Sequence, residues 1–463
     1  MQPNGESAST FRLVITRRSA SEILLLPRGS GWALPQVAIP PHQRVAEQLT
    51  AEVRKGWTLE TYCLLVPSAA SDQQNEEGKP AVLESVQAND RAPAGSYWAP
   101  CTAAAGFLEA GEADLVRGSL EKLEAYMANE KAGPFARPGW LREIFQWTRE
   151  QATPLGLQLT GNFRQLNASP TFNLLRLETK GGALWFKATG EPNAHELPLA
   201  LAVSRLFPRH VPRVLGVHHP WNGWLTEEVA GVPLDEAAEF AAWERAAAEL
   251  AELQIASIGM TAEILEAQAK DLRIRQLAGR IDPFLGRMSE LMALQEKPTP
   301  APLAPSELAT LAEGLKEACA LLEELGMPDT LGHLDFNPGN IVVTGDRCVF
   351  LDWAEGCVSH PFLTLEYLRE HLGRSHVQEP AAGEKLAAAY LGRWVPFFSP
   401  EELRRAQALA PLLAAFAYAA ASDGWRSADA LKNPPLAGYY RSLTRRMYRE
   451  SIQAALGSER CLN

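Results

Sequence analysis

The stretch His333–Asn340 reads HLDFNPGN, and it is followed by Asp352 twelve residues after Asn340. Two short apolar runs, 341–343 and 349–351, lie between Asn340 and Asp352. They predict a β-hairpin with its turn at 344–347. Such a hairpin would bring Asn340 and Asp352 side by side at its open end, close to the loop that carries Asp335.

An aspartate, an asparagine and a second aspartate at one point are the side chains that in-line phosphoryl transfer needs. Asp335 would orient the attacking hydroxyl, while Asn340 and Asp352 would hold the Mg²⁺ that neutralises the phosphates. Order and spacing match the catalytic-loop and metal-aspartate signature of kinase-like enzymes. The alternative is an acidic turn before an ordinary surface hairpin. Such a turn would not require His333, which would brace the loop by hydrogen bonds.

The composition excludes several other classes of protein. A chain of 463 residues is too long for one core, so roughly two or three domains are expected. The net charge of -11 gives no basic surface for nucleic acid. No signal sequence, membrane span or obligate protein partner is evident. The six scattered cysteines form no C-x-x-C pair and predict reduced thiols in a cytoplasmic protein.

Residues 1–130 predict a small α+β domain. Strands are expected at 11–17, 22–27 and 59–66, a helix at 41–55, and a polar surface loop at 70–80. The segment Gly31-Trp32-Ala33-Leu34-Pro35 between strand and helix resembles that of a Nudix-type domain. An unrelated α+β domain with a Trp-Pro turn is the alternative.

The catalytic helix of the Nudix family holds Mg²⁺ on the carboxylates of an R-E-x-x-E-E-x-G motif. With that motif placed on Gly56, the required positions are occupied here by Leu49, Thr50, Val53 and Arg54. The resemblance therefore implies the fold without the hydrolase chemistry. Residues 131–154 then predict a helical linker.

From residue 155 to 235 the pattern is strand–strand–helix–strand–strand. Strands are expected at 172–177 and 184–188, the latter with Lys187, and a helix at 195–207 that begins near Glu196. Two more strands are expected at 211–217 and 224–229. This is the pattern of a kinase small lobe, in which a lysine contacts the phosphates and a glutamate on the helix aims it. Glu191 competes with Glu196 for that second role.

Beyond residue 236 the chain predicts a helical large lobe up to residue 463. Ser306 is expected to cap a helix whose apolar face ends before Gly326 and which leads directly to the His333 loop. Trp353, Trp394 and Trp425 are interpreted as core residues.

Taken together, residues 155–463 resemble the aminoglycoside phosphotransferase family, which is related to choline kinases and has a protein-kinase-like fold. The resemblance rests on Trp185-Phe186-Lys187, Val211-Pro212-Arg213-Val214, Trp224-Leu225-Thr226-Glu227-Glu228, the His333–Asn340 stretch and Asp352-Trp353. It implies a two-lobed α+β fold and an ATP-dependent kinase acting on a hydroxyl of a small molecule. The resemblance also implies that Asp335 is the catalytic base, that His333 supports its loop, and that Asn340 and Asp352 are Mg²⁺ ligands. It further implies that Lys187 contacts the nucleotide phosphates and that the backbone of Glu227, Glu228 and Val229 contacts the adenine.

The sequence differs from protein kinases at the turn 167–171. In protein kinases a glycine-rich loop covers the nucleotide phosphates, whereas this turn contains no glycine. Members of the family often have Ser, Thr or Asn there, so Ser169 is predicted to contact the nucleotide. Pro170 has no N–H to offer. Two other functions remain open: a nucleotide-binding pseudokinase with a ligand-sensing N-terminal domain, and a Nudix hydrolase with a regulatory kinase-like tail.

Overall fold

The computed structural model describes residues 8–67, 78–87, 91–128 and 133–461, so most of the predicted loop at 70–80 lies outside the described residues. The chain divides into two compact units. The first unit contains residues 1–197 and 213–228, and the second contains residues 198–212 and 229–463. Both helices and sheets are present, and the predicted α+β class is confirmed.

The first unit begins with a seven-stranded sheet in the order β3-β2-β1-β6-β5, with β4 paired to β1 and β7 to β2. Strands β1 and β6 run parallel, and the other pairs are antiparallel. The strands are β1 (Ser9–Arg17), β2 (Glu22–Arg28), β3 (Gly31–Ala33), β4 (Gln36–Ile39), β5 (Thr61–Leu65), β6 (Lys79–Ser85) and β7 (Tyr97–Pro100). The helices that accompany them are α1 (Val45–Trp57), α2 (Cys101–Ala104), α3 (Ala110–Ala128) and α4 (Trp140–Ala152).

The alternation of apolar residues along β1 places side chains on both faces of this sheet. Leu13 and Ile15 pack in one core with Leu49 and Val53 of α1, whereas Val14 belongs to a second core on the other face. Leu49 and Val53 are therefore buried core residues. The Nudix-like character of residues 1–130 stays a prediction.

A five-stranded antiparallel sheet follows in the same unit, in the order β11-β12-β10-β9-β8. Its strands are β8 (Leu159–Ala168), β9 (Asn173–Thr179), β10 (Gly182–Ala188), β11 (Val214–His218) and β12 (Gly223–Glu227). Helix α5 (Glu196–Leu206) follows β10. Strand β8 was not predicted, because its few apolar residues are separated by polar residues and do not alternate regularly.

Helix α4 joins the two sheets of the first unit into one core. Trp140 packs edge-on against Tyr62 of β5, and Trp147 packs against Phe186 of β10. Val14, Ile144 and Phe186 belong to a single buried cluster. The segment predicted as a linker therefore carries core residues of both sheets.

The second unit is mainly helical, as predicted. Its helices are α6 (Phe240–Ala256), α7 (Thr261–Glu266), α8 (Ile274–Ala278), α9 (Ile281–Ala293), α10 (Pro305–Leu325), α11 (Phe362–Arg374), α12 (Ala382–Leu391), α13 (Pro400–Ala421) and α14 (Pro434–Cys461). Two three-stranded sheets, β13-β16-β17 and β14-β18-β15, lie among them. Their strands are β13 (Val232–Pro233), β14 (Lys270–Leu272), β15 (Thr330–His333), β16 (Ile341–Val343), β17 (Cys348–Phe350) and β18 (Gly356–Ser359).

Helix α10 begins at Pro305, two residues earlier than the predicted cap at Ser306 would allow. Ala304 precedes the helix, and the Glu307 carboxylate accepts a hydrogen bond of 2.7 Å from its N–H. The predicted end is correct, because Gly326 closes the helix with φ +65°.

Trp353, Trp394 and Trp425 are buried, as predicted. No helix in the described part of the chain is long and apolar enough to cross a membrane.

Candidate active site

The predicted hairpin is formed by β16 and β17. Ile341 pairs with Phe350, and the N–H of Leu351 donates to the carbonyl oxygen of Asn340 at 2.8 Å. The turn is closed by the N–H of Thr344, which donates to the carbonyl of Arg347 at 2.9 Å. Asn340 and Asp352 therefore leave the open end of the hairpin together, as the spacing of the sequence predicted.

The loop before the hairpin presents Asp335 to solvent. The Nδ2 of Asn337 donates to Oδ1 of Asp335 at 3.0 Å, and the Nδ2 of Asn340 donates to the main-chain oxygen of Asp335 at 3.1 Å. The same Nδ2 lies 3.5 Å from Oδ2. One carboxylate oxygen thus accepts a hydrogen bond from Asn337, and Asp335 remains exposed to solvent.

His333 is buried at the end of β15 and connects the loop to the hairpin. Its Nδ1 accepts a hydrogen bond from the N–H of Asp335 at 3.2 Å, and its Nε2 lies 3.2 Å from the carbonyl oxygen of Leu351. Burial lowers the pKa of His333, although Asp352 and the carbonyl of Leu351 oppose the shift. A neutral ring with its proton on Nε2 satisfies both contacts.

The backbone around His333 is fixed by residues that the sequence analysis did not single out. The N–H of His333 donates to Oγ1 of Thr364 in α11 at 3.0 Å, and the N–H of Leu334 donates to the carbonyl of Glu355 at 3.0 Å. Lys270 pairs with the Glu355 carboxylate at 2.5 Å. These partners are 20 or more residues from His333 in sequence, so no local pattern indicated them.

Asp352 has an unusual backbone conformation. Its φ is +62° and its ψ is +66°, in the left-handed region, and it directly precedes the short 3-10 helix Trp353–Glu355. Residues other than glycine rarely adopt this region, and asparagine and aspartate tolerate it best. A strained residue beside a reactive loop is typical of functional sites. The side chain is exposed.

The donor set at the hairpin's open end suits a magnesium ion. Because Nδ2 of Asn340 points to the main chain of Asp335, its Oδ1 is left to face a cation. With the Asp352 carboxylate this gives two hard oxygen donors, and Mg²⁺ commonly takes its other ligands from water and phosphate. Among the described residues, no group of three or more His, Cys, Asp or Glu side chains could hold a metal ion.

Lys187 and Glu196 form an ion pair in the first unit. The Nζ of Lys187 lies 2.5 Å from Oε1 of Glu196, whose side chain is 1% exposed. The rings of Phe172 and Trp224 lie 6.0 and 5.8 Å from the ammonium group. Glu191, the alternative partner, is exposed. The contact of Lys187 with nucleotide phosphates stays a prediction.

The turn that contains Ser169 is closed by its own hydrogen bonds. The N–H of Ser169 donates to the carbonyl of Phe172 at 2.8 Å, and Oγ of Ser169 accepts from the N–H of Phe172 at 2.9 Å. The carbonyl of Pro170 accepts from Phe135, and a Cβ on Gly133 would lie 2.5 Å from that oxygen. The Ser169 hydroxyl acts as an acceptor in this turn, and its contact with a nucleotide stays a prediction.

The segment Glu227–Val229, which was predicted to contact the adenine, uses two of its N–H groups in hydrogen bonds to neighbouring segments. The N–H of Glu227 donates to the carbonyl of Arg213, and the N–H of Glu228 donates to that of Ala183. The Glu228 carboxylate accepts two hydrogen bonds from Arg176, at 2.6 and 3.0 Å, which lower its pKa. The chain leaves the first unit between Glu228 and Val229.

Comparison with known families agrees with this geometry. Residues 188–405 match the family model described as the phosphotransferase enzyme family, and the match includes the whole His333–Asp352 segment. The matched residues make up slightly less than half of the chain. The predicted aminoglycoside phosphotransferase type of enzyme is confirmed for this region. A comparison with curated proteins gave no match.

Several solved structures are similar to about two thirds of this chain. A choline/ethanolamine kinase family protein from Mesorhizobium loti is 17% identical, with 67% of this chain and 98% of that chain covered and a TM-score of 0.43. An ethanolamine kinase from Plasmodium vivax is 14% identical, with 72% and 95% covered and a TM-score of 0.47. A macrolide 2'-phosphotransferase from Brachybacterium faecium is 18% identical, with 63% and 99% covered and a TM-score of 0.43.

Proposed function

We propose that this phosphotransferase moves the γ-phosphoryl group of Mg·ATP to a hydroxyl of a small polar molecule. The observation that carries the proposal is the hydrogen-bonded arrangement of Asp335, Asn337 and Asn340, with one carboxylate oxygen held and the group exposed. This arrangement suits a group that orients an acceptor hydroxyl. The family match of residues 188–405 supports the same reaction class.

Asp335 is proposed as the base, and His333 as the residue that positions its loop. Asn340 and Asp352 are proposed as the ligands of Mg²⁺, which would neutralise the phosphate charge when bound. The Asp352 carboxylate and the Asn340 amide oxygen are neutral or anionic hard donors, so they fit this ion.

Lys187, aimed by Glu196, is proposed to contact the nucleotide phosphates. The Ser169 hydroxyl and the backbone of Glu227, Glu228 and Val229 are proposed as further nucleotide contacts. In Glu227 and Glu228 the N–H groups are used within the sheet, which leaves the carbonyl of Glu228 and the N–H of Val229 as the candidates for an adenine edge.

Residues 1–130 are proposed to form an accessory domain without hydrolase activity. Two of the four positions that would need carboxylates, Leu49 and Val53, are buried in the core of the domain. Of the other two, Thr50 donates to main-chain oxygens of its own helix, and Arg54 pairs with Glu60. The cytoplasmic location, predicted from the scattered cysteines, stays a prediction.

The proposal is tested by an ATP-consumption screen of the full chain against amino sugars, amino alcohols, nucleosides and sugars. We expect turnover with one of these classes, dependent on magnesium and lost in Asp335→Ala. A thermal-shift measurement with Mg·ATP accompanies the screen. Stabilisation by Mg·ATP without turnover on any acceptor would favour the pseudokinase. Absence of stabilisation would contradict nucleotide binding itself.

A further inference from the structure

A cavity of about 500 Å³ lies within the first unit, and none of the residues assigned to phosphoryl transfer lines it. It is bounded by the end of β1, by β5 and β6, by α4 and by Gly161 of β8, and no residue of α1 lines it. Small-molecule sites in proteins commonly have volumes of about 300–1,000 Å³. The cavity is therefore large enough for a metabolite.

Three arginines give this cavity a positive wall. Arg142 and Arg149 are two helical turns apart on α4 and so lie on one side of it. Neither has a carboxylate within ion-pair distance among the residues that the structure describes. Arg18, at the end of β1, is the third, and it lies 3.4 Å from Glu22. Two arginines thus face the cavity without a counter-ion from the described chain.

The carboxylate of Glu84 also lines the cavity, and it accepts hydrogen bonds from two neighbouring groups. Glu84 is 4% exposed, and its Oε2 accepts hydrogen bonds from the hydroxyl of Tyr62 and from the N–H of Gly139, the latter at 2.7 Å. Burial, followed by the charge of Glu84, raises the pKa of Tyr62, so the tyrosine remains a donor. The lining contains three guanidinium groups and one carboxyl group, so positive charge is in excess.

An apolar wall lies beside the arginines. Leu141 and Phe145 of α4 and Val86 after β6 complete it. We propose that this cavity binds a small molecule with a phosphate group, held by Arg142 and Arg149, and with its apolar part against Phe145. Guanidinium groups form paired hydrogen bonds with phosphate oxygens. A phosphate dianion can accept hydrogen bonds from two arginines at once, whereas a carboxylate has fewer oxygens and less charge for two such partners.

The test is isothermal titration of the full chain with phenyl phosphate, which supplies a phosphate dianion and an aromatic ring. We expect saturable binding to the wild type. The Arg142→Gln, Arg149→Gln double variant should bind at least about tenfold more weakly, a loss typical of one charged hydrogen-bonded contact. Arg117→Gln is the matched control, because Arg117 is exposed on α3 and pairs with Asp114 outside the cavity. Thermal melting confirms that each variant is folded.

Two further arms separate this site from others. Lys187→Met should bind phenyl phosphate as the wild type does, because Lys187 does not line the cavity. Phenylacetate, with the same ring and a carboxylate, should bind more weakly than phenyl phosphate. No binding by the wild type, binding unchanged in the double variant, loss of binding in Lys187→Met, or tighter binding of phenylacetate would each overturn the proposal. All of these outcomes are independent of turnover by the phosphotransferase region.

Discussion

The Nε2 of His333 lies 3.2 Å from the carbonyl oxygen of Leu351, the residue immediately before Asp352. The other ring nitrogen of His333 accepts from the N–H of Asp335. One buried ring therefore bridges the backbone beside the proposed base and the backbone beside the proposed metal ligand. This explains why the motif has a histidine two residues before its aspartate, since the neutral ring offers a donor and an acceptor at opposite corners.

Replacement of the base is predicted to remove turnover but not nucleotide binding. Asp335→Ala should lower the rate by about 10²–10⁴-fold, the usual contribution of a positioned general base. The affinity for Mg·ATP, measured by calorimetry, should change little. Asp429→Ala serves as the control, because Asp429 is an exposed aspartate. Near wild-type phosphorylation by Asp335→Ala would remove this residue from the proposed role.

Two substitutions at Asp352 separate its charge from its backbone conformation. Asp352→Asn should fold as the wild type does, because asparagine tolerates φ +62°, yet a neutral amide holds a hard cation poorly. We expect the magnesium concentration for half-maximal rate to rise about tenfold or more. Asp352→Ala should also lose about 1 kcal/mol of stability through backbone strain. An unchanged magnesium dependence in Asp352→Asn would exclude this residue as a ligand.

The Lys187–Glu196 pair is predicted to act on the nucleotide. Glu196→Gln keeps the shape of the side chain but removes the buried charge that aims the ammonium group. We expect kcat/KM for ATP to fall about tenfold or more, with a smaller effect on the KM of the acceptor. Glu191→Gln is the matched control on the exposed neighbour. Equal kinetics of the two variants would argue against the assignment of Glu196.

The buried histidines predict a loss of stability in acid. Burial lowers the pKa of His333, and it lowers the pKa of His360 to about 3. The unfolded chain therefore binds more protons than the folded chain below the ordinary pKa of 6.5, so stability falls as the pH drops below that value. For His360 the loss at pH 5 is about 2 kcal/mol.

Urea unfolding between pH 7 and pH 5 checks this prediction. His360→Asn retains an acceptor for the N–H of Phe362 and removes the titrating ring, so its stability should depend less on pH. His376→Asn, on an exposed histidine, should retain the slope of the wild type. Parallel slopes in all three proteins would contradict the role of His360.

The N-terminal domain is predicted not to hydrolyse nucleoside diphosphates. Hydrolysis of this kind needs a metal held by carboxylates, and Leu49 and Val53 are core residues where two of those carboxylates would stand. The full chain with Asp335→Ala is the suitable sample, since it removes the transfer reaction. Metal-dependent hydrolysis at ordinary enzyme rates would refute this prediction.

The hairpin of β16 and β17 could be predicted from the sequence, because the residues that specify it are close together in the chain. Two apolar runs and a polar turn fix the strands, and the strands fix the positions of Asn340 and Asp352. Asn337 was missed, because an asparagine in a Pro-Gly loop is equally typical of a turn. Thr364 was missed because its contact with His333 is set by the packing of α11.

The extent of the N-terminal sheet was harder to predict. Strands β3, β4 and β7 have three or four residues each, too few for an alternating pattern to appear. Strand β8 is long, but its few apolar residues do not alternate regularly. The cavity beside α4 was not foreseen, because the residues that line it come from five separate segments of the chain.

The core that contains Val14, Ile144 and Phe186 determines how the chain can be divided. A fragment that starts at residue 155 would lose α4 and uncover the apolar face of β10, next to Lys187. A fragment that ends at residue 130 would uncover the matching face of the first sheet. The N-terminal domain is therefore a structural part of the small lobe, and the first unit should denature in one cooperative transition.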